Sequence, residues 1–216
     1  GSVTEATPCI ATTGNGYAAW KAAAEAECLQ AQGVEVVRLR PTIVYAPDSP
    51  LWVESLVRRI RSGWWGTFGV AGEGTCNPVH VADVARAAIA AMHVPQAAGM
   101  AFNINGADTQ SWNDWFRHMA LAAGEPPLVP VSATRLKIWR LAALPFRVIR
   151  RVAPRYCPAW VDMVPADSEM VLFGLRATYP ATLARTVRGW APQVGLDEGM
   201  RAITATYARP SHGIMA

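Results

Sequence analysis

The chain has 216 residues, of which 51% are hydrophobic and 17% are charged, and its formal net charge is +4. This composition is typical of a globular protein with a sizeable core and excludes a disordered chain. Most of the basic residues are scattered along the sequence, so the positive charge does not predict a nucleic-acid-binding protein. The sequence contains no run of about 18 apolar residues, and it therefore predicts no transmembrane helix.

The four cysteines lie far apart in the sequence, at Cys9, Cys28, Cys76 and Cys157. None of them forms the Cys-x-x-Cys spacing of metal sites and redox motifs, so we expect no metal site. No signal-peptide pattern is found either. Together these features favour reduced thiols in a cytoplasmic protein.

The first elements in chain order are a loop, a helix and a strand. Residues 1–16 are rich in Thr, Gly, Pro and Asn and predict a loop. The alanine-rich segment 17–32, which Gly33 follows, predicts a helix with a glycine stop. The β-branched run 34–39 predicts a strand that Arg40-Pro41-Thr42 ends. This order is half of an α/β crossover and indicates a parallel sheet.

The rest of the chain becomes increasingly helical towards its C-terminus. Glycines between residues 63 and 74 predict turns and a possible hairpin. Short strands or extended segments are predicted at 79–81, 100–104 and 128–131, and helices at 51–61, 83–92, 111–123, 133–152, 160–173, 180–186 and 197–207. We therefore predict an α/β part at 1–106, interrupted by an excursion at 51–76, and a mostly helical lobe at 107–216.

The segment 135–155 is basic and amphipathic, with seven Lys or Arg residues and interleaved apolar side chains. Such a helix either carries a solvated basic face, which is the commoner case, or binds a membrane surface or an anionic ligand. A lid over an apolar substrate is a further interpretation.

Tyr17 and Lys21 are four residues apart on the first predicted helix, so their side chains share one face. A phenol has a pKa near 10 and is a poor base at neutral pH, but a nearby ammonium favours the phenolate. Such a pair can exchange a proton with a carbinol oxygen while a hydride moves to or from a nicotinamide. The spacing alone is weak evidence, since it also occurs by chance on helix surfaces.

Three blocks in order strengthen this interpretation: the Tyr17–Lys21 helix, the run Arg40–Pro47 after the next strand, and the run Asn77–Ala85. With the C-terminal run Gly189–Pro192, they resemble the extended short-chain dehydrogenase/reductase family of NAD-dependent epimerase/dehydratases and 3β-hydroxysteroid dehydrogenase-like proteins. The resemblance implies the C-terminal part of a Rossmann-type, doubly wound parallel sheet, with a mostly helical substrate lobe.

The resemblance also implies roles for individual residues. Tyr17 would be the catalytic acid/base, and Lys21 would favour the phenolate and hold the nicotinamide ribose. The backbone of Pro41, Thr42, Ile43 and Val44 would lie along the nicotinamide carboxamide of NAD or NADP. His80 would be a structural histidine or would line the substrate cleft.

Two departures from the family pattern are Ala46, where glycine is common, and Ala82, where an acid is common. The second departure predicts the loss of a helix cap near residue 82, worth about 1 kcal/mol.

The family implies an oxidoreductase or epimerase that acts at a carbinol carbon of a nucleotide sugar or sterol-like alcohol. It also implies a homodimer formed through the helix at 17–32. The family's glycine-rich phosphate loop and its serine precede the tyrosine and have no counterpart in this sequence, so we expect the 216 residues alone to be inactive. The alternative is a non-catalytic structural or regulatory relative.

One glycine pattern is a decoy. The run Gly63–Gly69 fits Gly-x-x-Gly-x-x-Gly, but it follows a predicted helix and not a strand, and its two tryptophans would crowd a phosphate. We interpret it as turns of the outer lobe.

Overall fold

The computed structural model describes residues 1–8 and 16–208. Within them the helices are α1 Tyr17–Gln30, α2 Ser55–Arg61, α3 Val81–Met92, α4 Trp112–Ala122, α5 Ala133–Val152, α6 Asp167–Gly174, α7 Thr182–Arg188 and α8 Leu196–Tyr207. The strands are β1 Arg38–Pro41, β2 Ile43–Tyr45, β3 Thr75–Cys76, β4 Pro78–His80, β5 Ala101–Ile104 and β6 Gln110–Ser111. The predicted α/β class is confirmed.

The chain forms two compact units. The first contains Gly1–Val44, Asn77–Ala107 and Ala177–Gly195, and the second contains Tyr45–Cys76, Asp108–Arg176 and Leu196–Ala216. The segment Ala177–Gly195 therefore belongs to the first unit, whereas the sequence prediction placed everything after residue 106 in the helical lobe. The reason is that α7 packs on β5 and that Trp190 donates a hydrogen bond from Nε1 to the carbonyl of Asp83, at 3.2 Å.

The first unit is built on a parallel pair of strands, β1 and β5, in which Arg38 lies opposite Ala101 and Pro41 lies opposite Ile104. All four residues of β5 are buried, as expected for a parallel strand that is covered on both faces. Strand β2 pairs with β4 in a separate two-stranded sheet. The core of this unit gathers Val79, Ala87, Ala97, Phe102, Ile104, Ala181, Ala184 and Trp190.

The strand predicted at 34–39 lies further along the chain, at Arg38–Pro41. Hydrogen bonding with β5 sets this position. The Arg38 amide, where the pairing begins, donates to the carbonyl of Met100, the residue before β5, at 3.0 Å. Before it, Gly33 adopts a left-handed φ of 72° after α1 has ended. A turn therefore occupies the start of the predicted run.

Prolines explain two further differences in the second unit. The predicted strand 128–131 is only a single bridge between Pro130 and Thr67, since Pro126, Pro127 and Pro130 have no N–H to donate. The predicted helix 160–173 is divided by Pro165 into a 3-10 turn at Ala159–Asp162 and helix α6.

The second unit has an aromatic core. Its buried rings pack on one another, edge-on, tilted or, for Phe68 on Phe173, stacked; they are Trp65, Phe68, Trp112, Phe116 and Phe173. Trp65 belongs to the decoy glycine run, which follows helix α2 and leads only into a 3-10 turn at Gly69–Gly72. The interpretation of that run as turns agrees with this structure.

Asp83 is a buried charge that joins two distant segments of the first unit. Its carboxylate is inaccessible to solvent and accepts hydrogen bonds from the amides of Gln193, at 2.7 Å, and Val194, at 3.2 Å. It also pairs with Arg86, one turn along α3. The carboxylate therefore fixes the return of the chain against α3.

We expect Asp83→Ala to lower the free energy of unfolding by about 3 kcal/mol, because it leaves two amides and a guanidinium without their shared acceptor. Denaturant unfolding followed by circular dichroism measures the effect. The matched control is Glu27→Ala on an exposed position of α1, which should change stability by less than about 0.5 kcal/mol. Equal effects of the two substitutions would show that Asp83 is not a structural anchor.

Candidate active site

Helix α1 presents Tyr17 and Lys21 together, as the sequence predicts. The Lys21 Nζ atom lies 5.6 Å from the centroid of the Tyr17 ring, one turn away. Tyr17 is 74% exposed and Lys21 is exposed as well. Among the described residues neither side chain has a hydrogen-bonding partner, so both polar groups are available to a ligand.

Charge attaches α1 to the sheet of the first unit. No residue of α1 is buried, but Glu25 accepts hydrogen bonds from Arg38 Nη1 at 2.9 Å and from Arg40 Nε at 3.1 Å. Arg38 and Arg40 are on β1, so these bonds hold the helix beside that strand. The Glu25 contact thereby positions the pair of Tyr17 and Lys21 one to two turns away.

The predicted cofactor segment Pro41–Val44 runs from the end of β1 into β2. Its amides are largely engaged: Thr42 donates to the carbonyl of Ile104, and Ile43 donates to the carbonyl of Asn77, each at 3.1 Å. Pro41 has no N–H. Any contact of these three residues with a carboxamide would therefore involve their carbonyl oxygens or side chains.

Two buried asparagine side chains, whose roles the sequence did not predict, support this segment. The Thr42 hydroxyl bonds Asn105 Oδ1 at 3.0 Å, and Asn77 Nδ2 donates to the carbonyl of Ala177 at 2.9 Å. Asn77 and Asn105 are both buried. The asparagine at the head of the Asn77–Ala85 block was the available signal, whereas nothing in the sequence around Asn105 marked it.

His80 caps a helix. Its Nδ1 accepts a hydrogen bond from the amide of Ala82 at 3.3 Å, at the N-terminus of α3. This contact supports the structural interpretation of His80 over the cleft-lining one. The sequence predicted that α3 lacks a cap because Ala82 stands where an acid is common. The His80 side chain provides that cap, so the prediction is wrong.

Other reactive groups are few in the described part of the chain. Burial raises the pKa of the Cys76 thiol well above its usual range, so this cysteine is not a thiolate nucleophile at neutral pH. Over residues 1–8 and 16–208, no three His, Cys, Asp or Glu side chains gather as metal ligands. In the same residues no helix combines the length and apolarity that crossing a bilayer requires.

The sequence model of the NAD dependent epimerase/dehydratase family matches residues 1–105, which contain Tyr17, Lys21, Pro41–Val44 and His80. The match covers just under half of the chain, and over these residues the chain is similar to that family. The matched segment includes both strands of the parallel pair and the exposed helix α1.

Known proteins similar to this chain include one reductase and several enzymes of nucleotide sugars. The 2-alkyl-3-oxoalkanoate reductase of Stenotrophomonas maltophilia is 26% identical over an alignment of 213 residues, gaps included. The match covers 89% of this chain and 58% of the relative. The dTDP-glucose 4,6-dehydratase DesIV of Streptomyces venezuelae, solved with NAD and TYD, has a TM-score of 0.63 at 19% identity. The match covers 96% of this chain and 54% of DesIV.

RMD of Pseudomonas aeruginosa, solved with NADPH, has a TM-score of 0.57 at 19% identity, with 88% of this chain and 54% of RMD covered. At this level of identity, the likenesses show the fold alone. This chain spans little more than half the length of the relatives it matches.

The cap made by His80 is testable. We expect His80→Ala to lower the free energy of unfolding by about 1 kcal/mol, because the first turn of α3 loses its side-chain acceptor. Asn is a good N-cap residue, so His80→Asn should restore most of this loss. Thermal unfolding of both variants measures the difference, and equal losses would contradict a capping role.

Proposed function

We propose that the protein containing this chain is an NAD(P)-dependent oxidoreductase or epimerase that acts at a carbinol carbon, with Tyr17 and Lys21 as its proton-handling pair. The supporting observation is the placement of the two exposed side chains on one face of α1, with Lys21 Nζ 5.6 Å from the Tyr17 ring. Their place within the segment that matches the family model supports the same assignment.

Each group has a defined task in this reaction. A bound nicotinamide supplies or accepts the hydride. The Tyr17 hydroxyl donates a proton to the substrate oxygen in reduction and removes it in oxidation, which is general acid–base catalysis. The Lys21 ammonium offers hydrogen-bond donors to a ribose hydroxyl of the cofactor. The segment Pro41–Val44 would contribute carbonyl oxygens or side chains to the carboxamide side of the same cofactor.

The comparisons support this reaction type and leave several substrates to test. The Stenotrophomonas relative is named for reduction of a 2-alkyl-3-oxoalkanoate, and DesIV for a nucleotide sugar. Sterol-like alcohols are the third class that the sequence suggests. NAD and NADP are both candidates, since relatives were solved with NAD and with NADPH.

Tyr17→Phe removes the proton donor and keeps the ring. In the full-length protein we expect it to lower turnover by about 10²- to 10⁴-fold, the usual contribution of a positioned acid or base. Turnover is followed by nicotinamide absorbance with a 2-alkyl-3-oxoalkanoate, a nucleotide sugar and a sterol as trial substrates. Binding of NADH or NADPH, measured by fluorescence titration, should persist in the variant.

Two outcomes would contradict this assignment. Unchanged turnover in Tyr17→Phe would remove Tyr17 from the chemistry. A wild-type protein that binds the nicotinamide without turning over any trial substrate would favour the non-catalytic relative instead.

We also propose that the protein is a cytoplasmic homodimer that associates through α1. No residue of this helix is buried within the chain, and its outward face combines the 68%-exposed Trp20 with the small residues Ala23 and Ala24. Small residues beside one large aromatic allow a second helix to approach closely and bury the indole.

Trp20→Glu places a charge in that face, and we expect it to convert the dimer into monomers, because burying an unpaired carboxylate is costly. Analytical ultracentrifugation of the full-length protein measures the change. Val70→Glu, at an 85%-exposed position of the second unit, is the matched control and should leave the dimer intact. A monomeric wild-type protein would refute the proposal.

A further inference from the structure

The second unit contains a groove of about 520 Å³ that the proposed function does not use. Helices α5 and α6 and the turn Gly69–Gly72 form it. Its apolar lining consists of Ala71, Ala133, Leu136, Leu141, Leu144 and Met170. A cavity of this size, mostly apolar with a few polar groups, is typical of a small-molecule site.

The charged lining is predominantly positive. Lys137, Arg140 and Arg147 line the groove with one carboxylate, Asp167, which pairs with Arg140. Arg147 donates hydrogen bonds to the carbonyls of Val164 and Pro165, at 3.3 and 3.0 Å. Burial and the neighbouring guanidinium groups, Arg140 foremost, lower the pKa of Arg147. The groove therefore has a surplus of positive charge.

Two donors at the groove lack acceptors among the residues that the structure describes. The Nε–H of Arg140 is buried and makes no hydrogen bond. The exposed Lys137 ammonium has neither an ion pair nor a hydrogen bond. The Arg140 Nε–H is inaccessible from the groove, but an anionic ligand there would give the exposed Lys137 ammonium a charge-assisted hydrogen bond.

The apolar side chains beside these donors are also uncovered. Leu141 is 56% exposed and Leu144 is 49% exposed, although both line the groove. Helix α5 contains no acidic residue. A second copy of this face would set cations against cations, so the charge pattern favours an anionic, apolar ligand over self-association.

We propose that this groove binds a long-chain carboxylate, whose carboxylate group bonds Lys137 Nζ and whose alkyl chain lies along Leu136, Leu141, Leu144 and Met170. All the groove residues belong to the second unit, and binding needs no turnover. The proposal is therefore independent of the role assigned to Tyr17.

Calorimetric titration of the full-length protein with monomeric decanoate tests this site. We expect decanoate to bind, and acetate and decanamide to bind at least about tenfold more weakly, since one lacks the chain and the other lacks the charge. Lys137→Met keeps an apolar stem without the ammonium, and we expect it to weaken decanoate binding by about tenfold. Leu144→Asn, at a half-exposed position, should also weaken it.

The matched control is Arg185→Met, which removes one positive charge from an exposed position of α7 and should leave decanoate affinity unchanged. Equal affinities of Lys137→Met and Arg185→Met would overturn the proposal, as would equal binding of acetate. Sedimentation with phosphatidylglycerol vesicles, without binding of monomeric decanoate, would overturn it in favour of a membrane-surface helix. Tyr17→Phe should bind decanoate like the wild type.

Discussion

The parallel pairing of β1 with β5 is the contact on which the candidate active site depends. It places Arg38 and Arg40 where their guanidinium groups hold Glu25, and so locates helix α1 and its tyrosine. It also carries the chain into Thr42 and Ile43, whose amides bond the carbonyls of Ile104 and Asn77. A register shift of one residue in this pair would exchange the sheet faces of both arginines, because strand side chains alternate.

Buried polar groups hold the rest of the first unit to this pair. The Asp83 carboxylate accepts hydrogen bonds from the amides of Gln193 and Val194, which lie 110 and 111 residues later in the chain. The Asn77 side-chain amide donates to the carbonyl of Ala177. Hydrogen bonds of this kind specify one path for a returning segment, whereas apolar packing alone tolerates several. They explain why the segment 177–195 folds with the sheet although it is helical and follows the lobe in sequence.

Local pattern determined much of what could be predicted. The alanine-rich α1 and the Ser132-capped α5 are found close to their predicted bounds, since composition and caps are local signals. The exact start of β1 was beyond sequence reasoning because strand bounds depend on a distant partner, here Met100. The Tyr17 and Lys21 spacing predicted their shared face, but the acceptor that orients their helix lies on Glu25, which no motif had marked. The same limit hid Asn105 and the unsatisfied Arg140 Nε, because burial is a property of the whole unit.

Helix α1 differs from the other long helices in what holds it, since none of its residues is buried and Glu25 provides its ion pairs with the sheet. The side chains of these ion pairs are mostly shielded from water, and salt screens such pairs much less than exposed ones. The orientation of the tyrosine-bearing helix thus depends on a single carboxylate, whereas the core of the second unit depends on aromatic packing. Removing this one negative charge would loosen the helix that carries Tyr17 while leaving the hydrophobic cores of both units intact.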